Sequence, residues 1–158
     1  MKTFKLFASL LSAVAMLFAV GCQPEPADKP DKPDIPDEPC FTFEILEAGK
    51  TTVSFRVTPL AEEMPYVIMI TDKATFETFE SEEAFIADDL VWFDQVAMSM
   101  GITLEDYLAT ILTTGVKEDS TDGLAPNTEY YLYAYHLTAS GEVVSDLEFK
   151  EFKTTTLE

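Results

Sequence analysis

Few residues in this sequence could carry out nucleophilic chemistry. The chain has one histidine, His136, and two cysteines, Cys22 and Cys40. A thiol becomes a catalytic nucleophile when a neighbouring imidazole accepts its proton. No glycine-rich elbow or local catalytic motif accompanies Cys40 or His136. We therefore expect His136 to be a hydrogen-bonded structural residue and Cys40 to be a small buried apolar side chain.

Carboxylates are abundant, but their spacing does not favour catalysis or metal binding. Glycosidases use paired carboxylates, and Asp88 and Asp89 are of the right type. Adjacent residues on a helix point apart, so we expect both to be exposed to solvent. The run at 119–123 is similar to part of a calcium loop, but it lacks an acidic third position and the later bidentate glutamate. One histidine and one free cysteine, His136 and Cys40, do not favour a zinc site. The sequence predicts no enzymatic activity, no metal and no cofactor.

Aromatic side chains are the remaining candidates for a binding surface. Flat rings can stack on sugars or pack against a protein partner. Most of these rings are expected to seal a layer of helices against a sheet, and any exposed remainder is the predicted contact surface. The candidates for that surface are Trp92 and Tyr135.

Several of these rings belong to residues 124–136, Leu-Ala-Pro-Asn-Thr-Glu-Tyr-Tyr-Leu-Tyr-Ala-Tyr-His. Pro126 favours a turn, and from Thr128 onward β-branched and aromatic residues favour a strand. The Leu-x-Pro-x-Thr-x-Tyr pattern resembles the entry to strand F of fibronectin type III-like sandwiches. This resemblance implies that Tyr130 forms a tyrosine corner, in which the hydroxyl bonds to upstream backbone.

Both faces of this strand are apolar. Successive side chains alternate between the faces of a sheet, so one face would carry Tyr130, Leu132, Ala134 and His136, and the other Tyr131, Tyr133, Tyr135 and Leu137. A strand with one face in water would alternate apolar and polar residues. A second layer of structure must therefore cover the outer face.

Residues 72–115 are predicted to supply that cover as two helices. Apolar residues recur at three- and four-residue spacing from Phe85 to Met100, which predicts a helix that begins at Ser81 and stops before Gly101. Thr103 is a capping residue for a second helix that would end at Gly115.

Patterns typical of β-strands flank this helical segment on both sides; the run at 66–71 is apolar on both faces, and that at 116–121 is weak and polar. They occur at 40–46, 51–59, 66–71, 116–121 and about 147–154, with a bulge expected between Phe149 and Phe152. The predicted fold is mainly β: a fibronectin type III-like antiparallel sandwich at 40–158. Its helical hairpin, at about 72–115, is inserted between the strands that correspond to C and E of that fold and packs on the outer face of one sheet.

The N-terminal residues have the features of a targeting segment. Lys2 and Lys5 precede an apolar run at 6–20, which is short for a transmembrane helix. The run ends in Ala19-Val20-Gly21-Cys22, which resembles the lipobox of bacterial lipoproteins. The resemblance implies a lipoprotein signal peptide at 1–21 and a lipidated Cys22 as the membrane anchor. An ordinary secretory signal and an uncleaved anchor are the alternatives.

Residues 22–39 are predicted to be a tether. They contain six of the nine prolines of the chain, and from Pro30 proline recurs at every third residue, as in a polyproline II helix. Acidic residues fill the gaps, so the segment has almost nothing to bury. Extended at roughly 3.1 Å per residue, the tether would hold the domain about 50 Å from the lipid.

Charge excludes several classes of partner. The net charge of the chain is −19, and Arg56 is the only arginine. Binding of nucleic acid, and adhesion of the domain itself to anionic lipid, need basic patches that are missing here.

We expect a non-enzymatic, lipid-anchored module of the cell envelope that mediates protein or glycan interaction. Its resemblance to surface lipoproteins of gut Gram-negative bacteria implies an outer-membrane lipoprotein, on the periplasmic face or the cell surface. The alternative is a structural subunit of a surface assembly that pairs through a sheet edge, which the Glu- and Lys-rich last strand disfavours.

Overall fold

Within residues 39–156, which the computed structural model describes, the chain forms six β-strands and three helices. In chain order they are β1 (Phe41–Ala48), β2 (Val53–Pro59), β3 (Tyr66–Asp72), α1 (Lys73–Phe76), α2 (Glu82–Met100), α3 (Leu104–Ile111), β4 (Lys117–Thr121), β5 (Glu129–His136) and β6 (Glu148–Lys153). The predicted signal peptide, Cys22 and the tether up to residue 38 lie outside the described residues. No helix among those described has both the length and the apolarity needed to cross a membrane.

The strands form two antiparallel sheets of three strands each. One has the order β1-β2-β4 and the other β3-β5-β6. The two sheets share one apolar cluster, which we call the inter-sheet core: Phe41, Val53, Phe55, Val57, Tyr66, Tyr130, Leu132, Ala134 and Phe152. The chain is therefore mainly β, and its two sheets are compatible with a β sandwich, as the alternating patterns predicted.

A second apolar cluster lies between the helices and the opposite face of the β3-β5-β6 sheet. We call it the helix–sheet core: Val67, Phe85, Ile86, Phe93, Ala97, Tyr107, Leu108, Tyr133, Tyr135, Leu137 and Leu147. Strand β5 is thus buried on both faces, with every residue from Tyr130 to His136 buried. The prediction that both faces of this strand are covered is confirmed.

The helices begin and end at residues suited to those positions. The hydroxyls of Ser81 and Thr103 accept hydrogen bonds from the backbone N–H groups of Ala84 and Asp106, which caps α2 and α3. Gly101 ends α2 in the left-handed conformation, at φ 71°, where a Cβ would be strained.

Two details of the predicted elements are wrong. Helix α3 ends at Ile111 rather than near Gly115, because Thr113 exchanges backbone hydrogen bonds with Tyr66 and so continues the chain as extended structure. Strand β6 pairs with β5 in continuous register and has no bulge. Phe149 and Phe152 break the simple two-residue pattern because they face opposite sides of the sheet, Phe152 towards the inter-sheet core and Phe149 towards Tyr131.

Candidate functional site

The clearest polar cluster in the helix–sheet core joins α2 to β5. The hydroxyl of Tyr133 lies 3.1 and 3.0 Å from the two carboxylate oxygens of Asp89, and the hydroxyl of Tyr135 lies 3.3 Å from Oδ2. The two phenol rings are nearly parallel, with an angle of 8° between their planes. Tyr133 and Tyr135 are two residues apart on one face of the strand, so both can donate to a single carboxylate above the sheet.

Burial determines the protonation of this cluster. Burial raises the pKa of Asp89 to about 6, although hydrogen bonds from the two tyrosines favour the ionised form. Burial and the neighbouring carboxylate of Asp89 also raise the pKa of Tyr133 and of Tyr135, so both hydroxyls remain protonated and act as donors. The arrangement is suited to holding a helix on a sheet, and neither hydroxyl is activated as a nucleophile.

The expectation that Asp89 is solvent-exposed is wrong. Phe85, Asp89 and Phe93 are spaced four residues apart, so the carboxylate lies on the same face of α2 as two buried rings. That spacing was visible in the sequence and could have identified the residue. Its neighbour Asp88 is exposed, as expected.

The two candidates for a contact surface have opposite environments. Tyr135 is fully buried, so its assignment to an exposed surface is wrong: its ring packs under α2 and its hydroxyl is bonded to Asp89. Trp92 is exposed over about half of its surface and packs edge-on against Phe93.

Trp92 belongs to a group of exposed apolar side chains on α2. Val91, Trp92 and Met98 are 54%, 47% and 63% exposed. Gln95 lies four residues after Val91, three after Trp92 and three before Met98, so all three neighbour it on the helix surface. We call Val91, Trp92, Gln95 and Met98 the outer α2 patch.

Acidic residues surround this patch. Asp88 precedes Val91 by three residues and Trp92 by four, while Asp94 follows Val91 by three and precedes Met98 by four. Residues 74–116 contain nine acidic residues and no lysine, arginine or histidine. Helices α2 and α3 therefore carry charge of one sign, and the one basic residue of the described helices is Lys73, at the start of α1.

Within residues 39–156 none of the six basic residues lies in α2 or α3, and four of the six form ion pairs. Arg56 pairs with Glu44 and Glu118 across the β1-β2-β4 sheet. At one end of the other sheet, Lys73 pairs with Glu151 and Glu129, and Lys153 with Glu129, beside an open cleft of about 540 Å³. Lys117 pairs with Asp119 on its own strand.

His136 is a structural residue, as expected. It is buried, its Nδ1 lies 3.2 Å from the carbonyl oxygen of Pro65, and its ring packs 4.7 Å from that of Phe41. Burial lowers the pKa of His136, which keeps the imidazole neutral at pH 7.

Cys40 is half-buried rather than fully buried. Burial and the carboxylate of Glu148 raise the pKa of the Cys40 thiol, and a raised pKa is the opposite of what a reactive thiolate needs. The same carboxylate accepts hydrogen bonds from the backbone N–H groups of Cys40 and Phe41, where β1 begins.

The remaining chemical candidates do not form a site within residues 39–156. Asp119 lies in strand β4 and accepts a hydrogen bond from the backbone N–H of Ser120, so the run at 119–123 does not begin as a calcium loop. No group of three or more histidine, cysteine, aspartate or glutamate side chains in this part of the chain is arranged to hold a metal ion.

Tyr130 makes the backbone contact that its sequence context implied. Its hydroxyl accepts a hydrogen bond of 2.7 Å from the backbone N–H of Ala125, five residues upstream. The bond links the turn before β5 to a ring in the inter-sheet core.

Comparison with known proteins adds no relative to these observations. No protein-family model matches the chain, and no curated protein is similar to it.

Proposed function

We propose that this protein is a non-enzymatic, lipid-anchored module of the bacterial cell envelope that binds a protein or glycan partner through the outer face of α2. The observation that carries this proposal is the outer α2 patch. The opposite face of α2 already packs in the helix–sheet core, and that packing leaves about half or more of the surface of Val91, Trp92 and Met98 exposed. Clustered apolar side chains on a surface mark contact sites.

We further propose that the domain is of fibronectin type III type, with the helices as an insertion. Three features support this assignment. The strand order is β1-β2-β4 in one sheet and β3-β5-β6 in the other; Tyr130 bonds to backbone at Ala125; and the helices lie between the third and fourth strands. Such domains commonly serve as scaffolds whose surfaces bind partners, so function lies in the added surface rather than in the fold.

Anchoring through Cys22 is the second part of the proposal and has its own test. The lipobox-like sequence before Cys22 and the proline- and acid-rich stretch after it support an outer-membrane lipoprotein held away from the lipid by a tether. Cells grown with an alkyne fatty acid should label the wild-type protein and the Cys40→Ala variant, but not Cys22→Ala. Label retained by Cys22→Ala would reject the anchor.

The interaction itself is tested by crosslinking in intact cells. The full-length protein should yield a defined crosslinked complex that Trp92→Ala loses. Leu60→Ala is a matched control, because Leu60 is also an exposed apolar residue but lies in the loop after β2. A complex that both variants retain would reject α2 as the contact surface.

Edge pairing is the second candidate function, and strand β3 favours it. This strand is at the edge of its sheet. Tyr66 bonds to Thr113 across that edge, so by alternation the backbone groups of Ile68 and Ile70 face the same side. No hydrogen bond from these groups is formed within residues 39–156. Unlike β6, residues 66–71 carry no charge to oppose pairing.

Oligomeric state separates the two candidates. A dimer or larger assembly of the mature chain that dissociates on dilution, with backbone amides of Ile68 and Ile70 protected from hydrogen exchange only in the assembly, would support edge pairing. A monomer over the whole concentration range would reject it.

A further inference from the structure

We propose that the outer α2 patch binds a cationic, amphipathic segment of another protein, one that presents lysine or arginine beside apolar side chains. This inference rests on the proposed function and specifies the chemistry of the partner. The patch offers three apolar side chains around Gln95. Asp88 lies one turn before Val91 and Trp92, and Asp94 lies one turn before Met98. A segment that buries apolar groups there would bring its own charged groups next to these two carboxylates.

The field around the patch selects for positive charge. Nine acidic and no basic residues occur at 74–116, so no residue of α2 or α3 offsets the negative charge. Helix α2 also has no basic residue in its last turn, so the partial negative charge at its C-terminus, next to Met98, is not compensated by a cation of the helix. A cationic partner would be attracted over a distance of roughly 10 Å at moderate ionic strength.

Trp92 fits the same partner. Its indole ring is half-exposed, and the face of an indole attracts an ammonium or guanidinium group placed over it. Val91 and Met98 have no aromatic face, so they add apolar contact area instead, and methionine adapts its shape to different partners. Together these side chains match a segment that alternates basic and apolar groups.

Charge disfavours the other possible ligands of the outer α2 patch. A second copy of the domain would bring its own acidic helical segment to the patch. Four of its six basic residues within 39–156, Arg56, Lys73, Lys117 and Lys153, are already paired with carboxylates, and the other two, Lys50 and Lys150, lie outside α2 and α3. Anionic lipid and nucleic acid are repelled. A neutral glycan could stack on Trp92, but it would make no use of Asp88 and Asp94 and its binding would not depend on salt.

The test uses the full mature chain with Cys22→Ser, which removes the acyl chains and therefore the need for detergent. The probe is a fluorescent 18-residue peptide of leucine and lysine, arranged so that leucine lies on one helical face. A peptide with glutamate in place of lysine controls for charge. We expect the lysine peptide to bind and the glutamate peptide not to bind at 50 mM salt.

Variants of the outer α2 patch and of positions elsewhere show where the lysine peptide binds. Trp92→Ala should lower the affinity for the lysine peptide about tenfold, which corresponds to about 1.4 kcal/mol of binding free energy. The double variant Asp88→Asn, Asp94→Asn should lower the affinity for this peptide about fivefold at 50 mM salt. At 500 mM salt the loss should be much smaller, because salt screens exposed charges. Leu60→Ala and Glu142→Gln, at exposed positions outside the helical segment, should bind as wild type.

Two results would overturn the inference in distinguishable ways. Equal binding of both peptides, or lysine-peptide binding that no α2 variant weakens, rejects the cationic partner at this patch. If the Trp92-dependent crosslinked complex still forms in cells, the proposed function stands and only the partner chemistry is wrong. If that complex is absent as well, the proposed function fails with it. Salt-insensitive binding of a neutral oligosaccharide that Trp92→Ala abolishes would replace the cationic segment with a glycan.

Discussion

The hydroxyl of Tyr133 on β5 lies 3.0 Å from the carboxylate Oδ2 of Asp89 on α2. This hydrogen bond, together with that of Tyr135, joins the central strand of one sheet to the longest helix of the domain. It lies within an apolar interface, where a polar group without a partner is costly. The bond lies on the same face of α2 as the buried rings of Phe85 and Phe93, whereas Val91 and Trp92 are left exposed.

Asp89→Asn should stabilise the domain at neutral pH and have little effect at pH 4. The pKa of Asp89 is raised to about 6 in the fold, so between pH 4 and 6 the folded state binds more protons than the unfolded state, and stability falls as pH rises through that window. Above pH 6, Asp89 is ionised in the folded wild type, which then carries the full free-energy cost of burying that charge. A shift of two pKa units corresponds to about 3 kcal/mol.

The measurement is urea unfolding from pH 4 to 7.5. The free energy of unfolding of Asp89→Asn minus that of wild type should be near zero at pH 4 and reach about 2–3 kcal/mol at pH 7.5. Asp94→Asn is the control, since Asp94 is exposed on the same helix. A difference that does not change with pH would contradict the raised pKa.

Tyr133→Phe should raise the pKa of Asp89 above its wild-type value. The variant removes a donor that stabilises the ionised carboxylate and keeps the ring that packs against Phe85. We expect a loss of about 1–3 kcal/mol of stability at pH 7.5. The carboxyl carbon shift of Asp89, followed by NMR against pH, reports the pKa directly; an unchanged titration would show that the bond does not form in solution.

Truncation of two adjacent residues of α2 should destabilise the domain to very different extents. Phe93→Ala removes a ring that is fully buried in the helix–sheet core and should cost about 3–5 kcal/mol. Trp92→Ala removes a half-exposed ring and should cost about 1 kcal/mol or less. Thermal unfolding of both variants measures this difference. A larger loss for Trp92→Ala would mean that the outer face of α2 is packed in the native protein.

Much of the fold could be predicted from local patterns. The alternation in β2, the continuous apolar and aromatic run in β5 and the three- and four-residue spacing in α2 reflect burial by neighbouring layers, so the elements could be recognised one at a time. The end of α3 could not, because it depends on a bridge between Thr113 and Tyr66, which are 47 residues apart in sequence. Sheet order is equally non-local, so the open edge at β3 was not foreseen.

The candidate site was only partly predictable for a related reason. The exposure of Trp92 followed from its position beside the apolar stripe, but the burial of Tyr135 depends on how far α2 extends over β5. The excess of acidic residues suggested that Asp89 was exposed, whereas its spacing from Phe85 and Phe93 indicated burial. In this helix the periodicity was the better guide, because burial is set by the face on which a residue lies.

Tyr130→Phe should destabilise the domain more than Tyr131→Phe, although the two residues are neighbours on β5. The hydroxyl of Tyr130 accepts the bond from the Ala125 N–H, and its loss leaves a partly buried donor without a partner, at a cost of about 1–3 kcal/mol. The hydroxyl of Tyr131 makes no hydrogen bond within residues 39–156, and its ring is held by Phe76 and Phe149, which phenylalanine would still contact. Urea unfolding at pH 7 measures both losses. Equal losses would mean that the bond to Ala125 contributes nothing measurable and that the turn before β5 is held by packing alone.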